Sequence, residues 1–170
     1  MKFTETDITG TYFIDLEPRG DERGFFARMF CQKEFEQREL ETTFVQGNMS
    51  FSAKAGTLRG LHYQTSPNAE AKLVRCVQGA LYDVVLDLRQ NSPSYGKHQA
   101  FELTAKNRSM VYVPKGCAHG FMSLKPDTEI MYLVSAFYAP EAELGIRFDD
   151  PSFAIEWPMA PVEISEKDTT

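Results

Sequence analysis

The sequence predicts an all-β protein, a sandwich or a barrel, on three observations. Many short runs are dense in Val, Ile, Tyr and Phe; turn residues recur about every ten positions; and one stretch only reads convincingly as helix. In chain order, TYFIDLEP at 11–18 is the first strand-like run. QKEFEQREL at 32–40, rich in good helix formers, is the helix. KLVRCV at 72–77 and LYDVVLDLR at 81–89 read as two strands around a turn at Gly79. MVYVP at 110–114 and EIMYLVSAFY at 129–138 complete the set. Gly and Pro are spread from Gly10 to Pro161 with no low-complexity linker and no internal repeat, so residues 1–170 are expected to form a single domain. A chain of that length buries roughly 70% of the surface its unfolded form exposes, enough for a core of its own.

With 42% hydrophobic and 25% charged residues, the chain has the composition of an ordinary globular protein. The net charge of −6 gives the molecule no general attraction for nucleic acid or an anionic membrane, so a bound phosphate needs a local basic cluster. Cys31, Cys76 and Cys117 are odd in number, widely spaced and without a CxxC, which suits a reducing compartment better than a disulfide framework. MKFTETDITG lacks the apolar core of a secretion signal, and no run approaches the length of a membrane span. The expected location is the cytoplasm.

Strand parity in LYDVVLDLR places Tyr82, Val84, Leu86 and Leu88 on one face and Asp83 and Asp87 on the other, with Leu81 and Val85. An acid on such a mixed face is ordinarily solvated; were that face to line a barrel, Asp83 would join a polar pocket. The chain has three histidines. His98, in YGKHQAF, reads as a structural residue. His119 lies in VPKGCAHGF, whose P-x-G-x-x-H spacing resembles the second motif of the cupin barrels. The first cupin motif requires H-x-H, whereas His62 in TLRGLHYQ is followed by Tyr63 and Gln64. A transition-metal site needs three or four converging ligands. His62 and His119 supply two and Glu70 is an arguable third, so the histidines read better as acid–base or hydrogen-bonding groups. Cys117, two residues before His119, has no nucleophile context and reads as a small buried thiol.

The order and spacing of several strings resemble the dTDP-4-dehydrorhamnose 3,5-epimerase family. They are DERGFF at 21–26, VQGNMSFS at 45–52, TLRGLHYQ at 57–64, AKLVRCVQGALYDVVLDLRQNSPSYG at 71–96, VPKGCAHGF at 113–121, YAPEAELGIRFDDPSFAIEWP at 138–158 and SEKD at 165–168. The resemblance implies a cupin-type jelly-roll β-barrel with short peripheral helices. It also implies a homodimer that works on a nucleotide-linked sugar without a metal or organic cofactor. By the same resemblance His62 is the general base, Asp168 its dyad carboxylate and Tyr132 the general acid, with Lys72 beside the reacting ketone. Arg23, Gln46, Asn48, Arg59, His119, Glu143 and Lys167 match substrate-contacting positions. Two residues depart from the family pattern: Arg28 stands where Glu is common, and Glu70 where Gln is usual. Both are expected near the substrate entrance rather than at the reacting carbons.

These residue types suit inversion of a carbon beside a ketone, which removes a proton from one face and returns one on the other. An imidazole, with an ordinary pKa of about 6.5, suits a base; a carboxylate partner fixes its tautomer; and a phenol holds its proton to about pH 10. An ammonium such as Lys72 can stabilise the developing enolate. Arg23 and Arg59 offer planar forks to a diphosphate. Tyr132 and Tyr138 share strand parity, but on one straight strand they would stand about 20 Å apart. Catalysis therefore falls to Tyr132, with Tyr138 either packing or lining the pocket. Phe25, Phe26 and Phe121 read as core rather than as base-stacking residues, with Phe121 also a candidate pocket residue. The rival readings are a metal-dependent cupin isomerase or oxygenase using His62, His119 and Glu70, and a sugar-nucleotide binding module without activity.

Overall fold

In the computed structural model, residues 1–169 are described, and the fold is a two-sheet jelly roll. The first sheet contains β1 (Lys2–Glu5), β2 (Tyr12–Asp15), β5 (Gln46–Ser52), β7 (Lys72–Gln78), β10 (Met110–Val113) and β12 (Thr128–Val134). Its spatial order is β1-β2-β10-β7-β12-β5. The second sheet contains β6 (Thr57–Gln64), β8 (Ala80–Asp87), β9 (His98–Thr104), β11 (Cys117–Ser123) and β13 (Glu143–Gly145), in the order β13-β6-β11-β8-β9. A short β14 (Glu163–Ile164) runs parallel to β6. A separate hairpin, β3 (Arg19–Asp21) and β4 (Gly24–Phe26), stands apart from both sheets.

The alternation read from LYDVVLDLR holds. Leu81 and Val85 face the space between the sheets and pack with Val74, Val111, Phe121 and Ile130. Val84 and Leu86 face outward, under Ile146, Phe153 and Trp157. Each fully buried side chain of this kind contributes about 1.5–3 kcal/mol. The two strands flanking Gly79 do not pair with each other: β7 joins the first sheet and β8 the second. Gly79 makes this crossover at φ +76°, and a Cβ there would meet Thr128 Oγ1 at 2.4 Å.

The predicted helix is shorter than its sequence suggests. α1 spans Gln32–Glu36, and the chain leaves it through Glu39 at φ +57°, with the Leu40 amide bonded to the Phe35 carbonyl. A left-handed helix stop is usually a glycine, so the composition of 32–40 does not announce this one. Phe35, fully buried, anchors α1 against Ile14, Leu73, Met110 and Tyr112 on the outer face of the first sheet.

Phe25 and Phe26 are not core: they lie on the hairpin, 48% and 70% exposed. The hairpin pairs with neither sheet, and of its two aromatics Phe25 is covered on one side by the Arg108 guanidinium, 4.5 Å from its ring. Phe121, at 6% exposure, packs in the core as expected and also lines a cavity between the two sheets.

Candidate active site

Inward-facing residues of both sheets meet at a cavity of about 490 Å³. β6 and β11 of the second sheet contribute Arg59, His62, His119 and Phe121; β7 and β12 of the first contribute Lys72 and Tyr132. A smaller adjoining cavity, about 280 Å³, shares His62, Lys72 and Tyr132 and adds Gln46, Asn48, Tyr138 and Glu143. The imidazole and the phenol therefore stand on opposite sheets around one space.

His62 is held by close backbone packing. Gly60, at φ +97°, lies so near β11 that a Cβ would sit 2.7 Å from the His119 carbonyl oxygen. The register between β6 and β11 shifts at this point, between His119 and Phe121. The C-terminal segment then delivers a carboxylate. β14 pairs with β6 at Thr57 and Leu58, and the 3-10 turn at Glu166–Thr169 places Asp168 against the ring. Asp168 Oδ1 lies 2.6 Å from His62 Nε2, and its Oδ2 accepts the Gly60 amide at 3.2 Å. An ionised carboxylate only accepts, so Nε2 carries the proton and Nδ1 keeps its lone pair.

Around Nδ1 lies a second polar group. Glu143 Oε1 is 3.8 Å away, and Glu143 Oε2 accepts hydrogen bonds from Lys167 at 2.5 Å and from the Tyr138 hydroxyl at 2.7 Å. Burial disfavours ionisation of Glu143, but Lys167, Tyr138 and His62 outweigh it and hold the carboxyl below its ordinary range. Across the space, burial pushes the Tyr132 phenol above its usual value; Glu70 and Glu143 add to this, and Arg59 opposes it. Tyr132 therefore holds its proton firmly. His119 is backed by a carboxylate of its own: Nε2 meets Asp83 Oδ2 at 2.8 Å, with Asp83 fully buried. Asp83 thus reaches the site as a support for His119 and not as a solvated strand residue.

His62, Asp168, Tyr132, Lys72, Gln46, Asn48, Arg59, His119, Tyr138, Glu143 and Lys167 all come together at these two cavities. Tyr138 does so because β12 ends at Val134, so the chain turns before reaching it and the straight-strand separation does not apply. Two predicted residues stand elsewhere. Arg23, at the hairpin tip, has a side chain 89% exposed and is paired with Asp21 at 2.5 Å. Arg28 pairs with Glu34 at 3.2 Å beside α1, away from both cavities. Glu70 reaches Lys72: its Oε1 lies 3.3 Å from Lys72 Nζ, in the wall shared with Tyr132. Burial lifts the Cys117 thiol to about 12, in keeping with an inert sulfur. No group of three or more His, Cys, Asp or Glu side chains suited to a metal ion occurs among the described residues.

The sequence reading passed over Ser50, Gln64 and Ser165. Ser50 follows Gln46 and Asn48 at the inward parity of β5, and Gln64 follows His62 at the same interval on β6, so a two-residue period would have found both. Nothing local marks Ser165, which arrives with the C-terminal segment.

Comparison with known proteins agrees with this geometry. Residues 5–170 match the family model described as dTDP-4-dehydrorhamnose 3,5-epimerase. The chain is 45% identical to the enzyme of that name from Sinorhizobium fredii, over 100% of its own length and 88% of the relative's. It superimposes on the Bacillus anthracis enzyme, solved with TDP and pyrophosphate bound, with a TM-score of 0.94 and 41% identity, covering 98% of this chain and 95% of that one. A Legionella pneumophila 3,5-epimerase in complex with dTDP-4-keto-L-rhamnose gives a TM-score of 0.91 and 39% identity, covering 98% and 89%. With its paired sheets, its His62–Asp168 dyad and full-length similarity of this degree, the chain belongs to the dTDP-4-dehydrorhamnose 3,5-epimerase family.

Proposed function

We propose that the protein is an isomerase that epimerises a dTDP-linked 4-keto-6-deoxyhexose at C3 and C5, through an enolate and without a metal or organic cofactor. The observation that carries this reading is the placement of His62, with Nδ1 open and Nε2–H bonded to Asp168, in the same cavity as the protonated Tyr132. His62 takes the proton alpha to the ketone, and the Asp168 carboxylate stabilises the imidazolium that forms. Lys72 donates to the ketone oxygen as charge develops there. Tyr132 returns a proton from the other side; exchange with solvent removes the proton from His62 and restores one to Tyr132, and the same steps then repeat at the second carbon. Arg59 and Lys167 supply the local positive charge that a diphosphate needs on an acidic molecule. The metal-dependent alternative is disfavoured, since no group of three or more His, Cys, Asp or Glu side chains suited to a metal ion occurs among the described residues and Glu70, its third ligand, pairs with Lys72.

The working unit is a homodimer of single-domain chains in the cytoplasm. Support for pairing comes from apolar side chains left exposed on the edge strand β5 and on the hairpin: Met49, Phe51, Phe25 and Phe26. Pairing would also give the exposed Arg23 a role, by carrying the hairpin to the cavity of a second copy. Sedimentation of the purified protein tests the dimer.

The test of the chemistry is incubation with dTDP-4-keto-6-deoxyglucose in D₂O, followed by NMR. Deuterium enters C3 and C5 with the wild-type protein and neither carbon with His62→Ala. Absence of exchange with the wild type removes the proposal.

A further inference from the structure

Lys72 leaves β7 at the end of the barrel, facing inward and 8% exposed, so its ammonium must be held by the protein. Two contacts hold it. Nζ donates to the His62 carbonyl oxygen at 3.2 Å and meets Glu70 Oε1 at 3.3 Å. An ammonium has three N–H donors, so these contacts leave one to address the cavity. Glu70 is itself fixed: its side chain is 11% exposed, and Oε2 accepts from Gln64 Nε2 at 3.3 Å. Gln64, 2% exposed, is clamped by the backbone. Its Nε2 also donates to the Asn68 and Phe137 carbonyls at 2.9 and 3.2 Å, and its Oε1 accepts the Ala139 amide at 2.7 Å.

We infer that Glu70 is a positioning residue for the reaction: held by Gln64, it fixes the Lys72 ammonium so that the remaining N–H points at the oxygen where the enolate develops. The inference rests on the epimerase reading. It places at the chemistry a residue that the sequence alone put at the entrance. Its physical basis is that a catalytic donor acts through pre-set geometry, and a misplacement of about 1 Å can cost about 10²-fold in rate. Glu70 also faces Tyr132, whose other charged neighbours are Arg59 and Glu143, with Lys72 and His62 lining the same space. Its negative charge thereby helps keep the phenol protonated.

Three substitutions separate this role from a merely structural one. Glu70→Met keeps the bulk and removes the acceptor. We expect kcat to fall about 10-fold or more, with KM within about threefold. Glu70→Gln keeps a carbonyl acceptor for Lys72, and Gln64 retains two other acceptors for its amide hydrogens, so most of kcat returns. With the charge gone, the alkaline limb of the kcat profile moves to lower pH, because Tyr132 loses an anionic neighbour. Glu70→Ala, compared by thermal melting, checks that the fold tolerates loss of the side chain; if it unfolds, the Gln and Met pair still decides the matter. A Met variant within twofold of wild type overturns the inference, as does a Gln variant no faster than Met, an unmoved alkaline limb, or a loss confined to KM. Wild-type exchange into the 4-keto sugar in D₂O is run alongside. If it fails, the epimerase reading falls and takes this inference with it; if it succeeds, only the role of Glu70 is at stake.

Discussion

Replacing Asp168 with Asn should nearly abolish turnover while leaving the fold intact, and the geometry says why. One carboxylate oxygen accepts from the Gly60 amide and the other lies 2.6 Å from His62 Nε2. In the Asn side chain only the carbonyl oxygen can accept from Gly60, which turns the amide NH₂ toward Nε2. A donor at that point requires Nε2 to be the acceptor, so the ring proton moves to Nδ1, the nitrogen that must take the substrate proton. The same Asp→Asn change costs about 10⁴ in kcat in the Ser-His-Asp hydrolases, through the wrong tautomer. At 1.36 kcal/mol per tenfold this is about 5 kcal/mol of barrier. The assay is deuterium incorporation from D₂O into dTDP-4-keto-6-deoxyglucose, followed by NMR, with melting temperature as the control for folding. An Asp168→Asn protein within tenfold of wild type would show that His62 does not depend on this carboxylate for its tautomer, and the dyad argument would be wrong.

Other predictions concern acid strength, stability and packing. Because burial and the Glu70 and Glu143 carboxylates raise the Tyr132 pKa, the alkaline limb of kcat/KM should lie above about pH 10, the ordinary phenol value. Tyr132→Phe should lower kcat about 10²- to 10⁴-fold and remove that limb, and a limb below pH 9 would exclude the phenol as the acid. Asp87 is fully buried and bonded to Arg89, Ser92 and Ser94, which hold its carboxyl well below the carboxylate range against the opposing effect of burial. Asp87→Ala should cost about 3 kcal/mol at pH 7, the low end for a broken buried pair because Arg89 reaches solvent. The folded pKa is depressed, so this stabilisation is complete above about pH 4 and is lost as pH falls. Denaturant melts of the two proteins should therefore converge toward acid, and a constant gap down to pH 2 would contradict this. Gly60→Ala forces a Cβ to 2.7 Å from the His119 carbonyl at φ +97° and should cost at least about 3 kcal/mol, read as a melting temperature lower by about 6 °C or more.

Strand identity and inward parity were legible because they depend on local spacing. The alternation in LYDVVLDLR put Asp83 on one face with Leu81 and Val85, which the structure makes the inner one; that the acid there is buried against His119 and not solvated was not legible. Which sheet each strand joins was not legible, since Gly79 signals only a turn and pairing is decided by distant partners. The motif residues of the site were legible through RGLHYQ, KLV and SEKD, yet their contacts were not. Glu70 looked peripheral in sequence because nothing local shows where its side chain turns; the crossing from β6 in the second sheet to β7 in the first brings Lys72 to the His62 carbonyl, with Glu70 beside it. Tyr138 looked too distant for another reason, a strand that ends sooner than its β-rich sequence. Phe25 and Phe26 looked like core because aromatic type was the one local cue, and an isolated hairpin defeats it.

The imidazole stands on one layer and the phenol on the other. The gauge between them is therefore set by the filling of the sandwich, side chains such as Val85, Phe121 and Ile130, across a gap of about 10 Å. Thinning that filling by one methyl group, as in Ile130→Val, would alter the fit around a hexose ring from underneath. Reactivity in this protein is thus open to adjustment by residues that never touch a proton in flight.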